Sequence, residues 1–306
     1  MKRLFLFIFC GLLIVTSCFK KENEAWLTLY GTGSATVHWG DGSNDTKTLS
    51  PDRYTRFIHK YSNAVHRNIT ISGENITTID CDRNELTSLD VSGCTALTRL
   101  SCQRNLLTSL NLSDCIALIT LHCSSNQLTS LNLSGLTALT TLLCENNQLM
   151  SLDVSGLTAL TTFYCGGNQL TSLNLSGLTE LIVLSCLYNQ LMELDFSGLT
   201  ELKSLDCIYN QLMSLDMSGC PALTVLTCRN NQLTSLDMSK NSALEYLSCG
   251  YNYMTAESLD NLFGTLNNTV GGKIYIWNNG QDYDGSGTSG CDRSIAENKG
   301  WIVIFE

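Results

Sequence analysis

Cysteine is the residue type in this chain whose chemistry and spacing first need explanation. Nine cysteines follow one another at a constant interval of 21 residues in the 306-residue sequence: Cys81, Cys102, Cys123, Cys144, Cys165, Cys186, Cys207, Cys228 and Cys249. A thiolate can bind zinc, form a disulfide or act as a nucleophile. Zinc is disfavoured here, because one cysteine per interval does not supply a convergent tetrahedral set of ligands.

The redox state of these cysteines has two interpretations. Many cysteines in an exported protein usually indicate a disulfide framework. In-register inward positions with parallel side-chain directions disfavour the geometry of a bridge, so we favour reduced thiols that act as small buried hydrophobes. Cys94, Cys115 and Cys220 occupy places where other intervals carry leucine, and we interpret them as further core positions.

The remaining inventory for catalysis is small. The histidines are His38, His59, His66 and His122, and no residue resembles a nucleophile with a positioned base or a glycine loop that cradles phosphate. Asp41 lies between two glycines, which is typical of a turn. Asp282 and Asp284 lie in a glycine-rich loop without the full spacing of calcium ligands. We therefore expect no catalytic residue, no metal site, no cofactor and no enzymatic activity.

The cysteines belong to a longer pattern that predicts the elements holding them. The third interval carries Leu118, Leu121, Cys123, Asn126, Leu128, Leu131, Leu133 and Leu136. Alternation of Leu121 and Cys123 indicates a short strand with one buried face. A 21-residue coil can bury that face only against its neighbours, so stacked coils with a parallel sheet are expected. The return segment is short and rich in Ser, Gly and Thr, which favours 3₁₀ turns or extended chain.

An asparagine follows each cysteine by three residues, just after the predicted strand. The nine positions are Asn84, Asn105, Asn126, Asn147, Asn168, Asn189, Asn210, Asn231 and Asn252. A side-chain amide both donates and accepts, so a stacked row of them can satisfy the backbone groups left free where the coil turns. We interpret these asparagines as structural.

This coil resembles the leucine-rich repeat, with cysteine at one leucine position. The resemblance implies a solenoid with a curved parallel β-sheet on the concave side and short 3₁₀ or extended segments on the convex side. It is similar to the internalin-J-like repeats of bacterial surface proteins. Together with its flanking segments, the chain resembles leucine-rich-repeat surface lipoproteins of Bacteroidetes, which implies adhesion or partner recognition at the cell surface. Internalins carry a cell-wall sorting tail, whereas the resemblance to lipoproteins implies a lipid anchor for this chain, so host invasion is not expected from it.

The repeats, at 75–254, need caps at both ends. Before them, residues 25–74 contain a strand, the Gly40–Asp41–Gly42 turn and a His-x-Tyr sequence, which resembles a truncated PKD-like β-sandwich. After them, residues 255–306 are predicted to form an α+β cap. In that cap Thr255 opens an amphipathic helix, and Ile274, Ile276 and Asn279 imitate one degenerate repeat. Ser294 and Glu297 match a capping box, Gly300 ends that helix, and residues 301–305 close as a strand.

The N-terminus is predicted to be a sorting signal. Lys2 and Arg3 precede an apolar run over residues 4–15, which is too short for an ordinary membrane span and suits a signal peptide at 1–17. The run ends in Val-Thr-Ser-Cys, which resembles a bacterial lipobox and implies acylation of Cys18. Residues 18–24 then form a tether. We expect an exported protein, lipid-anchored to the outer membrane of a Gram-negative bacterium, with display at the cell surface left open.

A binding role follows from the face of the predicted sheet. The formal net charge is −10, and no run of Lys or Arg occurs beyond the N-terminus, which argues against nucleic acid as a partner. Outward positions of the first coils are polar. Later coils carry an apolar, tyrosine-rich set: Leu143, Tyr164, Val183, Leu187, Tyr188, Ile208, Tyr209, Val225, Tyr246 and Tyr251. We predict that this concave patch binds a protein partner. Glycan capture and a purely structural role in the envelope are the alternatives.

Overall fold

The computed structural model of the protein describes residues 23–62, 67–276 and 290–305. Five strands precede the repeats: β1 (Glu24–Thr32), β2 (Ser34–His38), β3 (Asn44–Thr48), β4 (Thr55–Lys60) and β5 (Arg67–Ser72). Within β1, every second residue is buried, as expected for a strand with one face on a core.

The repeats form a solenoid in which each coil contributes one short strand to a parallel sheet. The strands of that sheet are β6 (Asn75–Asp80), β8 (Arg99–Ser101), β9 (Thr120–His122), β10 (Thr141–Leu143), β11 (Thr162–Tyr164), β12 (Val183–Ser185), β13 (Ser204–Asp206), β14 (Val225–Thr227) and β15 (Tyr246–Ser248). The first coil also contains β7 (Leu86–Asp90), which lies in a second sheet. Leu142 pairs with Leu121 on one side and with Phe163 on the other, so adjacent strands are offset by 21 residues. The leucine-rich-repeat fold predicted from the spacing is confirmed. We number the coils one to nine by their ladder cysteine, from Cys81 to Cys249.

The side of each coil opposite the sheet consists of tight turns. In coil three, the amide of Leu136 donates to the carbonyl of Leu133 at 3.2 Å, and that of Leu139 donates to Leu136 at 3.0 Å. These are single i to i+3 turns of the 3₁₀ type, as the sequence predicted. All three leucines are buried, so the turns close the core.

The N-terminal cap and the first coil share backbone hydrogen bonds. Strand β1 pairs antiparallel with β4 and with β6, so the solenoid sheet continues into the cap. A second sheet has the order β3-β2-β5-β7, and β7 belongs to the first coil. The cap is therefore a small two-sheet structure built onto the first coil strand by strand.

A buried arginine also joins the cap to the solenoid. Arg67 is 3% exposed, donates to the carbonyl of Asn84 at 2.8 Å and pairs with Glu85 at 3.1 Å. Its guanidinium lies over the ring of Tyr61 at 5.2 Å. A buried charge is tolerated only with such partners, so this cluster fixes the cap in one position.

The C-terminal cap contains α1 (Ala256–Thr265), β16 (Lys273–Ile276), α2 (Ser294–Glu297) and β17 (Ile302–Phe305). Thr255 caps α1 by accepting from the amide of Ser258 at 3.2 Å, and the apolar face predicted for this helix is buried. Strands β16 and β17 extend the parallel sheet beyond coil nine. Asn279, Asp282 and Asp284 lie outside the described residues. Neither helix in the described part of the chain is long and apolar enough to cross a bilayer.

The capping box predicted at Ser294 and Glu297 is wrong. Ser294 is the first helical residue, and Arg293 occupies the N-cap without a side-chain capping bond. Asp292 instead accepts from the amide of Ser294 at 3.0 Å and from its hydroxyl at 2.6 Å. The acceptor therefore lies two residues earlier than the S-x-x-E pattern suggests. Gly300 follows with a φ of +90°, a conformation in which glycine is favoured, after the helix has ended.

Candidate partner-binding surface

The ladder cysteines lie in the core and are chemically quiet. All nine are free thiols and buried. Burial raises the pKa of each, to about 12 for Cys123 and for Cys249, so the reactive thiolate is not populated near neutral pH. Within the described residues, no group of three or more His, Cys, Asp or Glu side chains could hold a metal ion.

The asparagines bind backbone groups of two adjacent coils. In coil three, Asn126 donates to the carbonyls of Cys102 and Cys123, both at 3.0 Å. Its side-chain oxygen accepts from the amide of Leu107 at 3.1 Å. The same bonds recur along the row, which makes it a continuous structural ladder. Each amide thereby satisfies buried backbone groups at the coil's turn.

The apolar residues predicted as a patch divide into two kinds by exposure. Tyr188 is 53% exposed and Tyr209 is 42% exposed. The other eight are half-buried, because neighbouring strands and side chains cover part of each: Leu143, Tyr164, Val183, Leu187, Ile208, Val225, Tyr246 and Tyr251. The two exposed tyrosines, one on coil six and one on coil seven, therefore offer the most accessible aromatic surface of the set.

The backbone at these tyrosines is left-handed. The φ angles are +52° for Tyr188, +53° for Tyr209 and +55° for Tyr251. Equivalent turn positions in other coils also have positive φ, and Asn146, Gly167 and Asn230 occupy three of them. The tyrosines consequently lie in the turn beyond the strand, at the edge of the sheet. The alternation of buried residues had predicted a position on the sheet itself. Strand alternation could not reveal this, because the strands end at Ser185 and Asp206.

The rings of Tyr188 and Tyr209 stack on each other. Their centroids are 4.4 Å apart and their planes differ by 13°. Beside them, Leu187 leans over Gly166 of the preceding coil, where a side chain would collide with it. We call Tyr188, Tyr209, Leu187 and Ile208 the tyrosine edge.

The C-terminal part of the predicted patch lies against the cap. The ring of Tyr246 is 5.2 Å from that of Tyr275 in β16, and Tyr246 pairs in register with Lys273. Val183 and Val225 are separated by Ser204 across the same row of the sheet. The structure therefore brings Tyr188, Tyr209, Leu187 and Ile208 together and groups Tyr246 with the cap.

Two acidic residues near the tyrosine edge were not predicted from the sequence as part of the site. Glu145 accepts from the hydroxyl of Ser124 at 2.8 Å. Asp206 is half-buried on β13, and burial raises its pKa, while bonds from Thr227 and Ile208 and the charge of Arg229 lower it. A single carboxylate in a polar repeat gives no signal in the sequence, because its burial depends on the side chains of adjacent coils.

The first coils present a hydrogen-bonded polar face. Asp82 accepts from the hydroxyl of Ser101 at 2.7 Å and from the side-chain amide of Gln103 at 2.7 Å. Burial lowers the pKa of His122 on β9. Ser124 is 6% exposed, and its hydroxyl donates to Glu145 at 2.8 Å. These residues support the sheet rather than form an exposed apolar surface.

A histidine in the N-terminal cap is part of an aromatic cluster. His59 Nε2 donates to the carboxylate of Asp41 at 2.7 Å, and its ring stacks on that of Trp39 with centroids 4.9 Å apart. Tyr61 donates to the carbonyl of Trp39 at 2.8 Å. Asp41 also accepts from the amide of Ser43 at 3.0 Å, which is the turn role predicted for it.

The cysteine-bearing coils, the asparagine ladder and the parallel sheet define a leucine-rich-repeat solenoid. The functional domain of InlJ from Listeria monocytogenes, which includes a cysteine ladder, is 32% identical to the chain, with a TM-score of 0.52 over 66% of this chain and 49% of that one. A leucine-rich-repeat protein from Leptospira interrogans is 25% identical, with a TM-score of 0.52 over 66% and 62% of the two chains. An internalin C2 from Listeria monocytogenes is 25% identical, with a TM-score of 0.50 over 61% and 77%.

The chain therefore spans less than two thirds of the length of the first two of these structures. No protein-family model matches the chain, and no curated protein matches it. The shared solenoid is in general a protein-interaction scaffold, because stacked coils present an extended surface to a partner. Cys18, the predicted site of lipidation, lies outside the described residues.

Proposed function

We propose that this protein acts by binding a protein partner, and that the tyrosine edge on coils six and seven is the centre of the site. The observation that carries the proposal is the stacked, exposed pair Tyr188 and Tyr209 in left-handed turns. Tyrosine is well suited to such a site, since it offers a large contact area with few torsions to restrict. The half-buried Leu143, Tyr164 and Val183 would extend the surface over the sheet.

The energetics of the turn support this role. A left-handed backbone costs about 1–2 kcal/mol for a residue with a Cβ. It costs glycine nothing, and it costs asparagine less than most other residues. Gly167 and Asn230 show that the same turn forms with those residues. The tyrosine residues are 53% and 42% exposed, so core packing alone does not account for their presence. Recognition of a partner does account for it, because exposed aromatic residues commonly dominate the binding energy of interfaces.

The decisive experiment is site-specific photo-cross-linking in cells that make the protein. A benzophenone amino acid would replace Tyr188 or Tyr209 in turn. Arg104 is the matched control, since it is exposed, has a φ of +55° and occupies the equivalent turn of coil two. We expect one protein adduct from positions 188 and 209 and none from position 104. Adducts that form equally from position 104, or from none of the three, would contradict the proposed site.

Glycan capture is the second candidate, and the parallel rings of Tyr188 and Tyr209 favour it. In a stacked pair each ring covers one face of the other, and an outer ring face is a flat apolar surface on which a sugar ring can lie. A glycan array probed with the purified protein and with the Tyr188→Asn, Tyr209→Asn variant separates the two candidates. Saccharide binding that the variant loses would identify a glycan as the ligand.

The proposed location rests on the sequence of the N-terminus. The positively charged start, the apolar run over residues 4–15 and Cys18 support export and acylation of that cysteine. Several acyl chains anchor a protein stably, since each buried methylene contributes about 0.8 kcal/mol. We propose an outer-membrane lipoprotein of a Gram-negative bacterium, whose solenoid is presented to its partner through the tether.

A further inference from the structure

The sheet in front of the tyrosine edge has an acidic bias. On coils four to seven, the outward positions from each strand to its left-handed turn hold two charged residues, Glu145 and Asp206, and both are acidic. The remaining outward positions hold Thr, Ser, Gly, Asn and apolar residues. Arg229, on coil eight, lies on the far side of Asp206 and partly offsets its charge.

Tyr164 lies within the influence of both carboxylates. Burial raises the pKa of its hydroxyl, and the charges of Glu145 and Asp206 raise it further. In the sheet, Tyr164 pairs with Leu143 of coil four and with Ser185 of coil six, and Ser185 pairs with Asp206 of coil seven. Glu145 lies two residues after Leu143, so the half-buried ring of Tyr164 lies between an acid of coil four and an acid of coil seven. An aromatic face beside carboxylates is the chemistry that binds ammonium and guanidinium groups, by cation–π attraction and ion pairing.

Two exposed methionines follow the tyrosine edge in sequence on the same two coils. Met192 is 53% exposed and Met213 is 61% exposed, each four residues after a tyrosine of the edge. The amide of Gln211 donates to the carbonyl of Leu191, so these segments run side by side. Methionine is a flexible side chain that adapts to different apolar partners. Glu193 directly follows Met192 and is exposed, which adds another negative charge to this side.

We propose that the occupant of this surface is a basic segment of a partner protein. A Lys or Arg side chain of that segment lies over Tyr164 between Glu145 and Asp206, while apolar or aromatic side chains contact Tyr188, Tyr209 and the two methionines. Charge complementarity selects this occupant. A second copy of this chain would bring together two surfaces of a protein whose formal net charge is −10. This inference rests on the proposed function and adds the chemistry of the partner.

The test is a selection from a random peptide library displayed on phage, using the complete purified protein as bait. Three baits are compared: the wild type, the charge variant E145Q/D206N and the edge variant Y188N/Y209N. Gln and Asn keep the shape and one acceptor oxygen of each carboxylate, enough for the bonds from Ser124 and Ile208, so the charge variant is expected to fold. E180Q/E201Q is the matched control, since it removes two exposed acidic charges just before β12 and β13, away from Tyr164.

We expect wild-type binders enriched in Lys or Arg together with aromatic residues. Synthetic copies of these peptides should bind at least ten-fold more weakly to E145Q/D206N, and their affinity for E180Q/E201Q should change less than two-fold. Neutral or acidic binders that Y188N/Y209N loses would overturn the basic partner and leave the proposed site standing. Two results would overturn both the basic partner and the proposed site. One is a set of peptides that bind all baits equally, and the other is a wild-type selection with no enrichment over the selection on Y188N/Y209N.

Discussion

The rings of Tyr188 and Tyr209 stack with centroids 4.4 Å apart, although both residues adopt a left-handed backbone. Stacking contributes about 0.5–1.5 kcal/mol, and the left-handed backbone costs about 1–2 kcal/mol for each residue that carries a Cβ. On these two contributions alone, the pair does not stabilise the fold. Substitutions can therefore separate what the pair contributes to stability from what it contributes to partner binding.

Replacing Tyr188 by asparagine should leave the free energy of unfolding within about 1 kcal/mol of the wild type, because relief of backbone strain offsets the lost stacking. Tyr188→Ala keeps the strain and loses the stack, so it should be less stable than Tyr188→Asn. Urea unfolding followed by circular dichroism measures both. Gly167→Ala, at the equivalent turn of coil five, is the control and should destabilise. A variant Tyr188→Asn that unfolds several kcal/mol more easily would show that the tyrosine is structural.

The ladder cysteines should be free thiols in the purified protein. Alkylation after denaturation without reductant should label all nine, and labelling of the native protein at pH 9 should be very slow, because burial raises their pKa values well above 9. Mass spectrometry counts the labels. Cys165→Ser should destabilise by about 1–3 kcal/mol, since the hydroxyl would be buried without an assured partner. Peptides bridged between successive coils would disprove the reduced ladder.

Asn126→Ala should be among the most destabilising single changes in the solenoid. It leaves the Leu107 amide without its partner, and it removes one of the two amide donors to each of the carbonyls of Cys102 and Cys123, which keep their bonds from Asn105 and Asn147. The unpaired amide costs about 1–3 kcal/mol and each lost bond about 0.5–1.5 kcal/mol, so a loss of about 2 kcal/mol or more is expected in urea unfolding. Asn252→Ala is the control. It removes the same kinds of bonds where the residue is half-buried, and its effect should be smaller.

Asp206→Asn should stabilise the protein at pH 7. Burial raises the pKa of Asp206 in the folded state above 3.8, so the charged form is disfavoured by folding. The folded state of the wild type then gains stability as pH falls through that raised pKa, and the advantage of the variant should shrink until it disappears below pH 3.8. Tyr164, Thr227 and Arg229 are the neighbours that set this environment.

Urea midpoints at several pH values measure this difference. Asp153→Asn is the control, because hydrogen bonds from Ser155 lower the pKa of Asp153, and its loss is not expected to stabilise at pH 7. If Asp206→Asn destabilises the protein at pH 7, the charged carboxylate stabilises the folded state, which would contradict this prediction.

Cys18→Ala should abolish acylation and normal processing of the signal while the solenoid still folds. Metabolic labelling with a fatty acid, together with membrane fractionation, measures the change. The matched control is Cys10→Ala, which alters a cysteine within the apolar run and should leave both processing and acylation intact. Labelling and fractionation that persist in Cys18→Ala would rule out the lipoprotein assignment.

The sequence predicted the solenoid well because its period is carried by buried residues. Cys123 and Asn126 recur every 21 residues, since each coil must repeat the same core and the same backbone bonds. The left-handed turn was not predicted, because Arg, Ser, Asn, Gly and Tyr all occupy it and no residue type marks it. The link from Arg67 to Asn84 was also missed, since it joins segments whose distance the sequence does not reveal.

The asparagine ladder also bears on how genes for such proteins change length. Asn126 reaches Leu107, Cys102 and Cys123, which lie 19, 24 and 3 residues before it, and Asn147 repeats these separations. Duplication or deletion of one complete 21-residue unit therefore restores every bond with a new neighbour. Loss of a single codon pair within a coil moves an asparagine away from its carbonyls. Recombination between repeated stretches of DNA can thus lengthen or shorten the rod in whole units, and each added unit brings a new set of outward side chains on which selection can act.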